Sequence, residues 1–473
     1  MKAKRILSTA IALTLAFGMV SCGDAAKSDN AAKDNGARKS AAPALNAEEV
    51  APAGEAAEEA PEAEAAEAYD TYDGGETAGL TADGEFETFA ADMDDGFAAE
   101  RKKGAALADG EAEDPDAAAP TDADPGDITN SLPEAGQLTA GEWNDNDNWG
   151  FFANLVNNGT ISFPSFNVDP RSRVAVTLKG DDGEPIANAK VRLVGTEGGS
   201  LWSAVTDRQG RAYLFSYGSA ASTVEVEYGG DKQSFEVSVK GSSGDEQSSG
   251  KISDNSQELT FKGHNGDKGK TDAQIMFIVD TTGSMSDEML FLQSEFSSIV
   301  EEVGSDNVEY AVNFYRDEGD DYVTKCMDFT TDITRLRSTI AAEYADGGGD
   351  IPEAVGAVMQ ESITDNSGWR DDCVKIAFMI FDAPPHAEDS DKVEQAVRAA
   401  ADKGIKLIPI VSSNSERETE LFGRAVAIAT GGTYVFLTDD SGIGDSHLEP
   451  IIGEYEVEKL YDIIIRLIND YRA

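Results

Sequence analysis

The chain has 473 residues, length enough for two or three domains, and 40% of them are hydrophobic, so real cores can form. Its 38 basic and 89 acidic residues give a formal charge of -51. Phosphate would be repelled, which excludes nucleic acid and anionic lipid surfaces as partners. A cation, or a partner bridged by one, fits better, while most of the acids read simply as solvating charge.

Residues 1–21 have the form of a targeting signal. Lys2, Lys4 and Arg5 precede an apolar run over 6–20 that is short for a membrane span. Met19-Val20-Ser21-Cys22 resembles a bacterial lipobox, with Met19 where Leu is usual. The resemblance implies a lipidated Cys22 as the first mature residue. It also implies anchoring in the bacterial cell envelope, at the outer membrane or cell surface or on the periplasmic face.

Residues 22–135 are rich in Ala, Glu, Asp, Gly and Pro and lack hydrophobic periodicity. Such a stretch cannot bury enough apolar surface to offset its ordering entropy, so it reads as a disordered acidic tether. Residues 136–170 form an aromatic-rich connecting segment, with Trp143, Trp149, Phe151, Phe152 and Phe163 expected to pack on a neighbouring domain. Asp145-Asn-Asp147-Asn has the start of a calcium loop but not its closing Glu, so it reads as a turn.

Residues 171–240 predict a small all-β sandwich. Val174, Val176 and Leu178 alternate, as do Ala189, Val191 and Leu193, with Gly180-Asp-Asp-Gly183 and Asp207-Arg-Gln-Gly210 as turns. The run resembles carboxypeptidase-regulatory and bacterial Ig-like sandwiches, which usually act as spacers. Residues 241–271 read as a linker with one strand near 258–262.

Residues 272–473 alternate strands with helices, the pattern of a doubly wound α/β sheet. Strands are predicted at 275–279, 308–315, 322–329, 374–381, 405–411 and 433–437. Helices are predicted from 289 to 303 and near 332–343, 351–363, 390–403, 417–429 and 455–471. Ligands of such sheets bind beyond the carboxyl ends of the strands. Asp280 follows the first strand, and Thr282 and Ser284 follow at two-residue spacing, so hard oxygen donors converge as the chain turns.

The run containing Asp280-Thr-Thr-Gly-Ser284 resembles the metal-ion-dependent adhesion motif of the von Willebrand factor A family. Gly347-Gly-Gly-Asp350-Ile-Pro352-Glu-Ala354 and Asp382-Ala-Pro-Pro-His386 resemble the second and third motifs of its hemicentin-like branch. The resemblance implies a six-stranded sheet of order 3-2-1-4-5-6. It implies Mg²⁺, Ca²⁺ or Mn²⁺ held by Thr282 and Ser284, with Asp280 and Asp382 acting directly or through water. A partner's acidic side chain would complete the shell. Whether Asp350 reaches the ion stays open, and a metal-free capped turn at Asp280 is the bland reading of the loop.

No catalytic triad or phosphate loop is apparent. The chain therefore reads as a non-enzymatic, lipid-anchored binding or adhesion protein. A structural factor of an envelope complex is the alternative, and a metal-dependent hydrolase using Asp350 or Glu353 as base is a weaker one. Arg316, Asp317, Asp439 and Asp440 sit at strand ends and read as a solvated face, with rimming the site as the sharper alternative. His264 and His447 read as plain loop residues and His386 as turn geometry. Cys326 and Cys373 are expected to have two strands between them, too far for a disulfide, as two free, largely buried thiols.

Overall fold

The computed structural model describes residues 3–5, 133–162, 166–237, 239, 252, 254–349 and 351–473. The proposed lipidation site Cys22, the apolar signal segment and the tether up to residue 132 lie outside these residues. Among the described residues, sixteen strands run in chain order. They are β1 (Ala3–Arg5), β2 (Thr139–Trp143), β3 (Arg173–Lys179), β4 (Lys190–Gly195), β5 (Ser200–Val205), β6 (Arg211–Phe215), β7 (Ala221–Tyr228) and β8 (Asp231–Glu236). Then come β9 (Gln257–Thr260), β10 (Ala273–Asp280), β11 (Val308–Tyr315), β12 (Thr324–Lys325), β13 (Val374–Phe381), β14 (Ile405–Val411), β15 (Tyr434–Leu437) and β16 (Tyr455–Lys459). The helices are α1 (Trp149–Asn157), α2 (Met289–Val303), α3 (Ile333–Ala342), α4 (Val355–Met359), α5 (Ser390–Lys403), α6 (Arg417–Thr430) and α7 (Leu460–Arg472).

The main sheet is built on β10, all eight of whose residues are buried. A strand sends successive side chains to opposite faces. Ile275, Phe277 and Val279 accordingly enter one core with Val312, Phe314, Phe378 and Ile380. Met276 and Ile278 enter the other with Ala311, Met379 and Phe381. The first core is covered by α2, α3 and α7, where Leu292, Phe296, Leu336, Ile463 and Leu467 are buried. Phe277 stacks on Phe296 at 4.7 Å and on Phe378 at 5.6 Å. The second core is covered by α4, α5 and α6 through Val358, Val397 and Phe422. Helices on both faces make this a doubly wound α/β sheet, as the alternation of elements predicts.

The strand order across the six expected strands is β12-β11-β10-β13-β14-β15, which is 3-2-1-4-5-6. The β10, β11, β13, β14 and β15 pairings are parallel, and β12 is antiparallel. Three differences from the expectation stand out. The third strand is two residues long rather than 322–329. The stretch 455–471 divides into β16 and α7. Two further strands, β2 and β16, lengthen the sheet beyond β15, with the short β1 paired to β16.

Strands β3 to β9 form two facing sheets, of order β6-β3-β9 and β5-β4-β7-β8. β9 comes from the expected linker and pairs parallel with β3. The inward residues Val174, Val191, Leu193 and Trp202 belong to the same continuous core as α5 and α6. Arg398 of α5 lies over Trp202 at 4.7 Å and donates to the Leu201 carbonyl at 2.9 Å. The sandwich is therefore packed onto the α/β body, unlike a free-standing spacer.

Cys326 and Cys373 are not bonded to each other, but only Cys373 is buried. Cys326 is exposed because β12 ends at Lys325, before the cysteine can enter the sheet. An alkylating reagent should label Cys326 in the native protein without reductant and Cys373 only after unfolding, as read by peptide mass. Protection of both until reduction would contradict this.

Candidate metal centre

β10 ends at Asp280 and the neighbouring β13 is followed by Asp382, so two carboxylates emerge at adjacent strand ends. From β10 the chain passes to β11 on one side and later returns at β13 on the other, which opens a crevice beyond the sheet. The Asp280 Oδ1 atom accepts from the Thr282 N–H at 2.9 Å and from the Thr282 hydroxyl at 2.7 Å. Its Oδ2 accepts from the Tyr315 hydroxyl at 3.0 Å. Thr282 Oγ1 lies 3.2 Å from Ser284 Oγ. Because the Thr282 hydroxyl gives its proton to Asp280, its lone pairs remain for another partner. The bonds within this loop are also those of a capped turn; what such a turn leaves unexplained is the state of the carboxylates.

Asp280 and Thr282 are fully buried, and Asp382 is 6% exposed. Burial, then repulsion from Asp382, pushes the Asp280 carboxyl up to about 7. Burial raises Asp382 to about 6 against the hydrogen bond from Ser284. Glu353 is pushed up to about 9, by burial and then by Asp280, Asp317, Asp382 and Asp320. Asp382 Oδ1 and Glu353 Oε2 are buried without a hydrogen-bond partner. Buried carboxylate oxygens are almost always satisfied, so two orphans in one place call for a cation or a proton.

The two carboxylates line a cleft of about 360 Å³ together with Ser284 and the 347–349 loop, and no Lys, Arg or His is among the described residues that line it. Among the described residues, no group of three or more His, Cys, Asp or Glu side chains is arranged to hold a metal ion. The cleft instead places the Asp382 and Glu353 carboxylates with the Ser284 hydroxyl. That donor set suits a hard divalent cation and offers nothing to a soft one.

Gly347, Gly348 and Gly349 close the cleft with φ of +79°, +69° and +150°. The Gly283 N–H donates to the Gly347 carbonyl at 3.1 Å, so this loop rests directly on the Asp280 loop. A Cβ on Gly347 would meet the Asp320 carboxylate at 2.4 Å. Gly347→Ala should cost about 1–3 kcal/mol through its backbone conformation alone and should weaken cation binding. Denaturant melts and calorimetric cation titration check both, and wild-type behaviour in either would contradict the placement.

Of the expected site residues, Asp280, Thr282, Ser284 and Asp382 come together, and Asp350 lies outside the described residues. Glu353 joins them, although its place in the sequence suggests only a hydrolytic base. Arg316 and Asp317 are not a solvated face. Arg316 is 2% exposed, lies over the Tyr322 and Tyr344 rings at 4.7 and 5.0 Å, and donates to the Tyr344 carbonyl. Asp317 contacts His386 Nε2 at 2.7 Å, so His386 has a partner beyond its turn. Asp439 and Asp440 are exposed. His447 bridges Glu288 at 2.8 Å and Asp439 at 2.9 Å, and His264 contacts Asp231 at 2.8 Å. Both are anchored, where the sequence showed only polar loops.

Residues 274–445 match the family model of the von Willebrand factor type A domain. Over 186 residues the chain is 29% identical to a putative ariadne-like RING finger protein of Acanthamoeba polyphaga mimivirus. That match covers 34% of this chain and 18% of the relative, so the chain spans less than a fifth of the relative's length. A solved structure, the conserved hypothetical protein BatB from Bacteroides thetaiotaomicron, aligns with TM-score 0.31 and 14% identity, over 42% of this chain and 98% of that one.

Proposed function

We propose that this chain is a non-enzymatic binding protein whose A-type domain holds a divalent cation at the Asp280 loop and recognises a protein partner there. A von Willebrand factor type A domain over 274–445 supports a role in protein interaction or adhesion. The observation that carries the metal reading is the pair of orphaned, buried carboxylate oxygens beside the Thr282 and Ser284 hydroxyls. Asp280, Thr282, Ser284 and Asp382 would hold the ion. When bound, Mg²⁺, Ca²⁺ or Mn²⁺ would neutralise the carboxylates and offer exchangeable coordination positions, such as one for a partner's acidic side chain. Asp280 and its neighbours orient the hydroxyls, and the glycine loop keeps the approach open. The resemblance of Met19-Val20-Ser21-Cys22 to a bacterial lipobox supports a lipid tether to the cell envelope as part of this proposal.

The test is partner capture from envelope extracts with and without a chelator. Capture by the wild type should be lost on chelation and absent in Asp280→Ala. Undiminished capture by that variant would overturn the reading.

A further inference from the structure

The stretch 439–449, between β15 and β16, is tied to the start of α2 by a histidine. The His447 side chain is 4% exposed and stands between two carboxylates. Its Nε2 lies 2.8 Å from Glu288 Oε1, and its Nδ1 lies 2.9 Å from Asp439 Oδ1. The His447 N–H also donates to Asp439 Oδ1 at 2.9 Å. Glu288 is fully buried and accepts as well from the Ser413 N–H at 3.3 Å. The same stretch holds one wall of the cleft. The Asn414 N–H donates to the Ser446 carbonyl at 3.1 Å, and the Asn414 amide donates to Asp445 Oδ2 at 3.0 Å. The Asp445 N–H in turn donates to Asp287 Oδ2 at 2.7 Å. Asn414 lines the cleft that contains Ser284 and Asp382.

A neutral imidazole has one N–H and one bare nitrogen, so it can donate to one carboxylate and not to two. Serving both takes the imidazolium, whose charge also offsets a carboxylate held away from water. The titratable groups that face the ring are Glu288 on the α2 side and Asp439 on the β15 side. Asp287 and Asp445 stand next to them, and the loop after β14 adds Ser413 and Asn414, which carry no charge. We infer that residues 439–449 form a proton-gated clasp on the cleft: protonated His447 closes it over Glu288, and loss of that proton releases the stretch together with Asn414. The clasp acts whether or not a cation fills the cleft. Burial lowers the His447 value, but the bonds to Glu288 and Asp439 outweigh it and raise the ring above its ordinary 6.5. The stability of the closed clasp is therefore complete below 6.5 and is lost as pH rises through the raised value.

The test is hydrogen exchange of the full chain at pH 5 and pH 9, corrected for the intrinsic rate and read by peptide mass. Wild type, His447→Gln and Glu288→Gln are compared, with peptides of β10 as the internal reference. In wild type, protection over 439–449 and 412–416 should fall about tenfold at pH 9 relative to β10, the loss of one hydrogen bond to a charged group. His447→Gln should show the low level at both pH values. Glu288→Gln should stay protected at both, because a neutral ring can donate from Nδ1 to Asp439 and accept at Nε2 from the introduced amide. The chain has three histidines, so NMR of ¹³C-labelled histidine, with His447→Gln to identify the signal, gives the titration of this ring. The release should share its midpoint. Circular dichroism checks that the variants are folded, and the wild-type comparison stands without them. Equal wild-type protection at the two pH values would overturn the inference, as would release in a folded Glu288→Gln that tracks the wild type.

Discussion

At pH 8 in chelator, Asp280→Asn should melt higher than the wild type, and saturating divalent cation should then stabilise the wild type but not the variant. The physical reason is crowding of like charge. Asp280 is fully buried and repelled by Asp382, and no basic residue is among the described residues that line the cleft at Asp382. Asn keeps the shape and still accepts from Thr282 at the same place. Relieving a buried repulsion of about 1–2 kcal/mol moves the melting temperature of a domain this size by about 2–8 °C. The pH dependence has a definite sign. Asp280, Asp382 and Glu353 have folded-state values raised to about 7, 6 and 9. A carboxyl raised on folding contributes stability below its unfolded value, near 4, that is lost as pH rises through the folded value. For this cluster the cation-free wild type is therefore more stable at pH 5 than at pH 8, and Asp280→Asn flattens that slope. A cation at 100 times its Kd adds about 2.7 kcal/mol to the wild type at pH 8. It should add little at pH 5, where protons compete for the same oxygens. Thermal melts over this grid decide the matter; identical curves for the two proteins would remove the argument.

The elements readable from the sequence were those whose pattern is local. β10, β11, β13 and β14 carry long apolar or β-branched runs because both of their faces are covered, and they stand where the pattern puts them. Asp280, Thr282, Ser284 and Asp382 were legible for the same reason: each follows directly from the end of one of those strands. What the sequence does not mark depends on distant partners. β2 reads Thr-Ala-Gly-Glu-Trp, with no alternation to mark it, and becomes a strand because β15 and β16 present open edges. Tyr455 to Lys459 run without a break into a helical pattern, and pairing with β1 and β2 makes them extended. Glu353 looked like one acid among many in an acidic chain. Its burial comes from the bridge between its loop and the Asp382 turn, which no spacing in the sequence reveals.

Arg424→Met should destabilise the fold by about 3–5 kcal/mol, the cost of stranding buried charges. Arg424 is fully buried in α6. It donates to both oxygens of Asp145 at 2.8 Å, to Glu420 Oε1 at 3.0 Å and to the Ile451 carbonyl at 2.9 Å. Asp145 in turn accepts from the Trp143 indole N–H at 3.0 Å, at the end of β2. One guanidinium thus joins α6, the turn after β2 and the loop before β16, three pieces far apart in sequence. Removing it leaves Asp145 and Glu420 side by side without their shared cation, although Arg417 still contacts Glu420. Asp145→Asn should cost less, because the amide oxygen keeps one acceptor for Arg424. Since the two residues act as a unit, the double variant should cost less than the sum of the singles, by about 0.5–3 kcal/mol. Urea unfolding of the four proteins measures the coupling. Strict additivity would mean that the Asp145–Arg424 pair does not hold the 139–157 segment to the α/β body. A positive coupling would make that segment part of the body, so that trimming the chain to its family-matched stretch would expose the β15 edge and the buried face of α6.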